Sequence, residues 1–310
     1  MSSAKIGVVM GGLHERERSL DAGESVLRAL LDEGRDAVPV VLDRGFDAAR
    51  TLQTSTIDVA FLALQGRADA GGSVQGLLEV MGVPFTGSSV LATALAADQL
   101  KMKELFRLHN LPTPPYYVCE RSEADALRDV HGSFGFPVVV KPRRTGAAAP
   151  AKAENFGELA TAVARAHDCD GSAIVERFVA ATEVHVGLFQ GRVLGAIEAA
   201  PGRLSPTRYR GLMNLGERAA EALDASSAVL VDVLVTEGQN EYVLGVHTLP
   251  DLHPDGVFAR IAKAAGFGFP ALCAAIADSA RLHAAESAPQ KIVKAIAAPA
   301  LDETRTAQVA

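Results

Sequence analysis

The hydrophobic positions of this chain fall into short runs closed by glycine or proline, alternating with stretches where apolar residues recur every three or four positions. Lys5–Met10 is an apolar run that stops at Gly11-Gly12 and predicts a first parallel strand. A helix is predicted from about Ser19 to Glu33, with Leu20, Val26, Leu27, Leu30 and Leu31 inward and Gly34 ending it. Ala37–Leu42 and Val59–Leu64 predict the second and third strands, and strand–turn–helix–strand is an α/β pattern. Helical periodicity returns over Val74–Met81, Ser88–Ala96 and Asp98–His109. Beyond Leu111-Pro112, strands are predicted at Tyr116–Cys119, Val138–Lys141 and Ala173–Val179, with helices near Glu123–His131 and Phe156–His167. Glu183–Leu188 with Arg192–Ala199, and Val229–Thr236 with Glu241–Val246, read as antiparallel pairs about Gln190-Gly191 and Glu237–Asn240. Helices over Val257–Ala265 and Pro270–Ala284 close the fold, and the stretch after Glu286 lacks a core face and reads as a flexible tail.

Composition adds limits. With 310 residues, 48% of them hydrophobic and 22% charged, the chain reads as an ordinary globular protein of two or three domains. A net charge of -7 argues against nucleic acid or an anionic membrane as the main partner. No apolar run approaches the roughly 20 residues that span a bilayer, and Met1–Ile6 passes straight into a strand, unlike a signal peptide. Cys119, Cys169 and Cys273 are widely spaced and unpatterned, as reduced thiols of a cytoplasmic protein would be.

Candidate chemistry centres on Val138–Pro150. A buried β-branched strand leads to Lys141, placed where a cation would meet a phosphate, and a loop around Gly146 follows. Its tip, Ala147-Ala148-Ala149-Pro150, offers no hydroxyl, and Pro150 has no backbone N–H for an anion.

The ordered set of motifs resembles the D-alanine–D-alanine ligases of the ATP-grasp superfamily. Val9-Met-Gly-Gly12 with Glu15–Leu20 is similar to that family's opening, and Gln75-Gly76 with Gly82–Ser88 to its next landmark. Val138–Pro142, Ala173–Phe178 and Asp232-Val233 follow in order, so the resemblance covers about residues 5 to 284. It implies an ATP-grasp fold: an N-terminal parallel α/β domain, then two α+β subdomains whose antiparallel sheets flank a nucleotide cleft. The corresponding divisions are residues 1–96, 97–180 and 181–285, with 286–310 as the tail. It further implies ATP and two magnesium ions as cofactors, D-amino acids as substrates, peptidoglycan precursor synthesis as the setting and a homodimer. The implied reaction phosphorylates one D-alanine carboxylate, and a second D-alanine amine then attacks the acyl phosphate. Charge neutralisation carries most of such a phosphoryl transfer.

Carried over residue by residue, the resemblance places Glu15 near the first substrate's amine, with Glu17 as the fallback, and Ser19 at the substrate-binding serine. Helix capping and dipole complementarity explain Glu15 equally well. Lys141 matches the phosphate-contacting lysine, and Glu176 and Glu183 match acidic positions around adenine and ribose. Arg208-Tyr209 is similar to the Lys-Tyr of the loop that closes over the substrates, with a surface tyrosine as the competing reading.

Other positions depart from the family's pattern. Gln65-Gly66 and Ala70–Gly72 replace a His-Gly and Glu-Asp-Gly landmark, and Ala147 stands where a phosphate-contacting serine is expected. Gln99 replaces a lysine, so Lys101 or Lys103 would have to compensate, and Leu230 replaces an arginine. Of the metal ligands Asp232 remains, while Gly245 and His247 replace a Glu and an Asn. Magnesium prefers oxygen ligands, and a histidine nitrogen suits zinc or copper better. Asp251 lies where a substrate carboxylate is expected and would repel it.

Three readings follow. The first is a degenerate ligase homologue that no longer joins D-alanines and serves as a weak nucleotide binder, or as a regulator or scaffold with a protein partner. The alternative is an active ATP-dependent carboxylate–amine ligase with a changed site. The third is a new metal site in which His247, Asp251, His253 and Asp255 gather near Asp232.

Overall fold

The computed structural model describes residues 4–12, 15–43, 46–64, 71–144, 149–198, 204–238 and 240–284. The expectations placed on Gln65–Ala70, on Ala147 and on the tail after Glu286 lie outside the described residues.

Three sheets organise the chain. In the first, β1 (Ile6–Gly11) lies between β2 (Ala37–Leu42) and β3 (Val59–Leu62), all parallel. Every residue of β1 is buried, as a continuous apolar run in a parallel sheet requires. Helix α1 (Arg16–Asp32) packs Ala22, Val26, Ala29 and Leu30 inward, whereas Leu31 is 51% exposed and faces away from the core. A helix the hydrophobic pattern did not single out, α2 (Phe46–Thr54), precedes β3, and α3 (Ser73–Met81) and α4 (Val90–Ala97) follow it.

The second sheet is antiparallel and ordered β4 (Tyr116–Glu120), β7 (Ser172–Arg177), β5 (Val138–Pro142), β6 (Ala151–Ala153). Its core comes from Val138, Val140 and Val175 against α7 (Phe156–Asp170). The predicted helix at 123–131 divides into a 3₁₀ stretch, Arg121–Ala126, and a short α6, Leu127–His131.

The third sheet is ordered β11 (Glu241–His247), β10 (Ala228–Val235), β8 (Thr182–Phe189), β9 (Arg192–Glu198), again antiparallel. Val184, Val186, Val231 and Val233 face a core shared with Met102 and Phe106 of α5 (Gln99–Leu108). They share that core with Leu212, Leu215 and Ala219 of α8 (Pro206–Ala222). Alternation along β8 and β10 therefore turns Glu183, His185 and Asp232 to the opposite face. Helices α9 (Val257–Ala264) and α10 (Phe269–Asp278) return to the first sheet and share a core with β1 and α1. The last helix ends before the predicted Ala284. No single helix among the described residues is long and apolar enough to cross a membrane.

Candidate active site

Two polar clusters carry the chemistry, one on each antiparallel sheet. The first is built around Glu176 on β7, whose side chain is 3% exposed. Lys141 on the adjacent β5 reaches its Oε2 at 2.9 Å, and Lys103 of α5, wholly buried, reaches Oε1 at 3.1 Å. Lys103 also donates to Thr113 Oγ1 at 2.7 Å, and its Nζ lies 5.4 Å from the Tyr116 ring centroid. Burial lowers the Lys103 pKa and Lys141 adds to that effect, while Glu176 opposes it.

The start of α5 explains how Lys103 arrives there. Asp98 accepts from Leu100 N and Lys101 N at 3.1 Å and so caps the helix. The same carboxylate takes Arg143 in a forked pair, Nε at 3.0 Å and Nη2 at 2.8 Å, and Gln99 N donates to Arg143 O. Burial would raise the Asp98 pKa, but the hydrogen bonds from Arg143 hold it below the usual carboxylate value. The helix is thus pinned to the end of β5, and Lys103, one turn on, points at the strand that carries Glu176. Of the two compensating lysines proposed for Gln99, Lys103 enters the cluster, whereas Lys101 pairs with Glu104 at 2.8 Å.

Two lysines against one carboxylate leave a surplus positive charge in a largely buried place. A nucleotide phosphate would balance it, so these residues fit ATP. Their sequence signals differed: Lys141 and Glu176 sit on recognisable strands, while Lys103 was offered from sequence only as one of two lysines able to compensate for Gln99.

The second cluster surrounds Asp232 on β10. His185 Nδ1 lies 2.7 Å from Oδ1 and His247 Nε2 lies 2.7 Å from Oδ2. Burial would raise the Asp232 pKa, but the charge on His247 and the hydrogen bonds from both imidazoles hold it well below the usual value. The hydrogen bond to Asp232 raises His185. For His247, whose side chain is 48% exposed, partial loss of solvent acts downward, and the charge and hydrogen bond of Asp232 outweigh it to give a net rise. Both carboxylate oxygens are thus occupied by nitrogen groups, and Gly245, opposite Asp232 in the ladder, adds no ligand. This arrangement does not fit magnesium, which needs several hard oxygen donors.

Glu183 stands in this second cluster beside His185 and Asp232. His185 was not singled out from sequence, because its role depends on which strand pairs with β10.

The proposed His247–Asp251–His253–Asp255 group does not form a metal cluster among the described residues. The segment turns towards α1, where Arg18 Nε and Nη2 donate to Asp251 Oδ2 at 3.0 and 2.9 Å and His253 lies 3.5 Å from Asp21. Arg18 also pairs with Glu15 at 3.2 Å, so the charge of Asp251, expected to repel a substrate carboxylate, is met by a guanidinium. Glu15 is the residue before α1 and has a left-handed backbone, φ 46°. Ser19 is buried, donating to Ala63 O at 2.8 Å and accepting from Gly11 N at 2.9 Å, so its hydroxyl ties α1 to the first sheet. Arg208 and Tyr209 lie in the first turns of α8. Tyr209 Oη accepts from Ala196 N at 2.9 Å, which anchors that helix to β9.

A parallel α/β sheet followed by two antiparallel sheets, each with a charged cluster, is the architecture of an ATP-grasp protein. A family model described as the D-ala D-ala ligase C-terminus matches residues 105–202. A D-alanine–D-alanine ligase of Geotalea uraniireducens is 38% identical over 305 residues, covering 91% of this chain and 97% of the relative. One from Geobacter sulfurreducens is 41% identical over 306 residues, covering 91% and 96%. The crystal structure of D-alanine–D-alanine ligase from Bacillus anthracis complexed with ATP superposes with TM-score 0.80 at 25% identity, covering 90% of this chain and 97% of that one. The chain belongs to the D-alanine–D-alanine ligase family.

Proposed function

We propose that the protein is an active ATP-dependent carboxylate–amine ligase of the D-alanine–D-alanine type, with a changed phosphate and metal site. The observation that carries this reading is near full-length similarity to D-alanine–D-alanine ligases, 38% over 305 residues. Lys103, Lys141 and Glu176 support it as a cationic seat for nucleotide phosphates, as does ATP in the similar Bacillus anthracis structure. In the reaction, a D-amino-acid carboxylate oxygen bonds to the terminal phosphorus of ATP and ADP leaves. The neutral amine of a second substrate then bonds to the acyl carbon, inorganic phosphate departs with the C–O bond electrons, and the nitrogen gives up a proton to that phosphate or to water. Lys141 and Lys103 hold negative charge on the transferring group. In this reading Glu15, with Arg18 beside it, faces the first substrate's amine, while Ser19 and Tyr209 act by fixing α1 to the first sheet and α8 to β9. The divisions near residues 96, 180 and 285, a homodimer and a cytoplasmic setting belong to the same reading.

One observation favours the second reading, a homologue that binds nucleotide without ligating or acts through a protein partner. Asp232 is closed off by two histidines where magnesium ligands would be needed. Losing one group that stabilises transition-state charge typically costs ~100- to 1000-fold.

The two separate in an assay of purified protein with ATP, magnesium and a panel of D-amino and hydroxy acids. Phosphate release is followed, and products are identified by mass spectrometry. The ligase reading predicts phosphate release that depends on the acceptor, with D-alanyl-D-alanine or a close analogue as product. No acceptor-dependent release across the panel would overturn it and leave the non-ligating homologue.

A further inference from the structure

The face of the third sheet that looks away from its own core gathers four metal-binding side chains. Glu183 and His185 are two residues apart on β8 and so share that face. Asp232 is the ladder partner of His185, and Leu230 that of His247. Gly245 lies beside this group as the ladder partner of Asp232, and a Cβ there would make only ordinary contact, 4.0 Å, with His247 Nε2. The His247 ring reaches Asp232 Oδ2 at 2.7 Å. Ligand atoms of Glu183, His185 and Asp232 all lie within 4.8 Å of one another.

We propose that His185, His247, Asp232 and Glu183 form a transition-metal site, with zinc as the preferred ion. Two imidazole nitrogens and two carboxylate oxygens are a ligand set that zinc accepts in tetrahedral geometry, and zinc–ligand distances near 2.0–2.2 Å put donors about 3.3–3.5 Å apart. Ligand atoms of Glu183, His185 and Asp232 lie within 4.8 Å of one another, and each imidazole lies 2.7 Å from its own Asp232 oxygen, so the imidazoles must rotate outward from the carboxylate to admit an ion. The site is built on strands, with His185 19% and Asp232 15% exposed and His247 open to solvent. Nitrogen donors also select against magnesium and calcium. A bound zinc ion would displace the protons now shared between Asp232 and the imidazoles. The site needs no nucleotide, so it stands whether or not the protein ligates.

The test uses the full-length protein, freed of metal by chelator dialysis, with zinc alone titrated by calorimetry at neutral pH and no ATP. Cobalt absorption supplies a second readout. One tight equivalent is expected, with the intense visible bands of four-coordinate cobalt. His247→Gln and His185→Gln should each weaken zinc by at least about tenfold, and Asp232→Asn by more. His247 is 48% exposed, so its variant keeps the fold and decides the matter should the others unfold. Zinc affinity unchanged in His247→Gln would assign binding to other histidines among the eight in the chain and overturn the proposal. So would the absence of a tight equivalent in the unsubstituted protein, or displacement of zinc by millimolar magnesium.

Discussion

Lys103 is wholly buried between Glu176 and Thr113, with Lys141 close enough to depress its pKa. A buried ammonium normally costs stability unless its charge is met, and one carboxylate here serves two lysines. Lys103→Met therefore removes a favourable contact with Glu176 and an unfavourable one with Lys141. The expected loss is about 1–3 kcal/mol, less than for breaking an isolated buried pair, because Lys141 still faces Oε2. Thermal and denaturant unfolding check it, and a loss above roughly 4 kcal/mol would mean that Glu176 depends on Lys103 alone. At this scale the sequence was partly legible. Lys141 and Glu176 lie on strands recognisable as apolar runs, and each stands directly after its run. Lys103 and His185 owe their roles to contacts with residues 73 and 47 positions away, Glu176 and Asp232, and no local pattern encodes those. Arg18 was missed for the same reason, since Asp251 lies 233 positions from it.

Among elements, the strands built on apolar runs and the two hairpins were readable, whereas the short β6 and the pairing of β8 with β10 were not, because neither is set by a local pattern. Helix α8 was not read at all. The resemblance treats Arg208-Tyr209 as part of a closing loop, yet Ser205 caps a helix through Arg208 N, and Pro206 opens it. Leu212, Leu215, Ala219 and Ala220 then supply an apolar stripe at helical spacing. The helix lies close on β8 at Gly216, where a Cβ would come within 2.7 Å of Val186 Cγ1 and 3.0 Å of its Cβ. Gly216→Ala is therefore expected to destabilise by about 1–3 kcal/mol through overpacking, despite the better helix propensity of alanine. Denaturant unfolding would check the sign, and a stabilised variant would show that α8 can move off the sheet.

Over the whole molecule, the fold and the chemistry were legible to different degrees. The α/β pattern and the two hairpins followed from periodicity and turn chemistry, while the architecture of one parallel and two antiparallel sheets was implied by the family resemblance. The metal position was legible only as loss: Gly245 and His247 departed from the family pattern, and His185 completed the new arrangement only in three dimensions. The proposed function joins a phosphate seat that fits ATP to an Asp232 cluster that does not fit magnesium. Calorimetric titration of ATP into the protein, with and without magnesium, tests that combination most directly, with Lys103→Met as the comparison. Saturable ATP binding is predicted, weakened in the variant and changed little by magnesium beyond its effect on free ATP. No binding at millimolar ATP, or equal binding by Lys103→Met, would contradict the assignment of the Lys103–Glu176–Lys141 cluster as the nucleotide site.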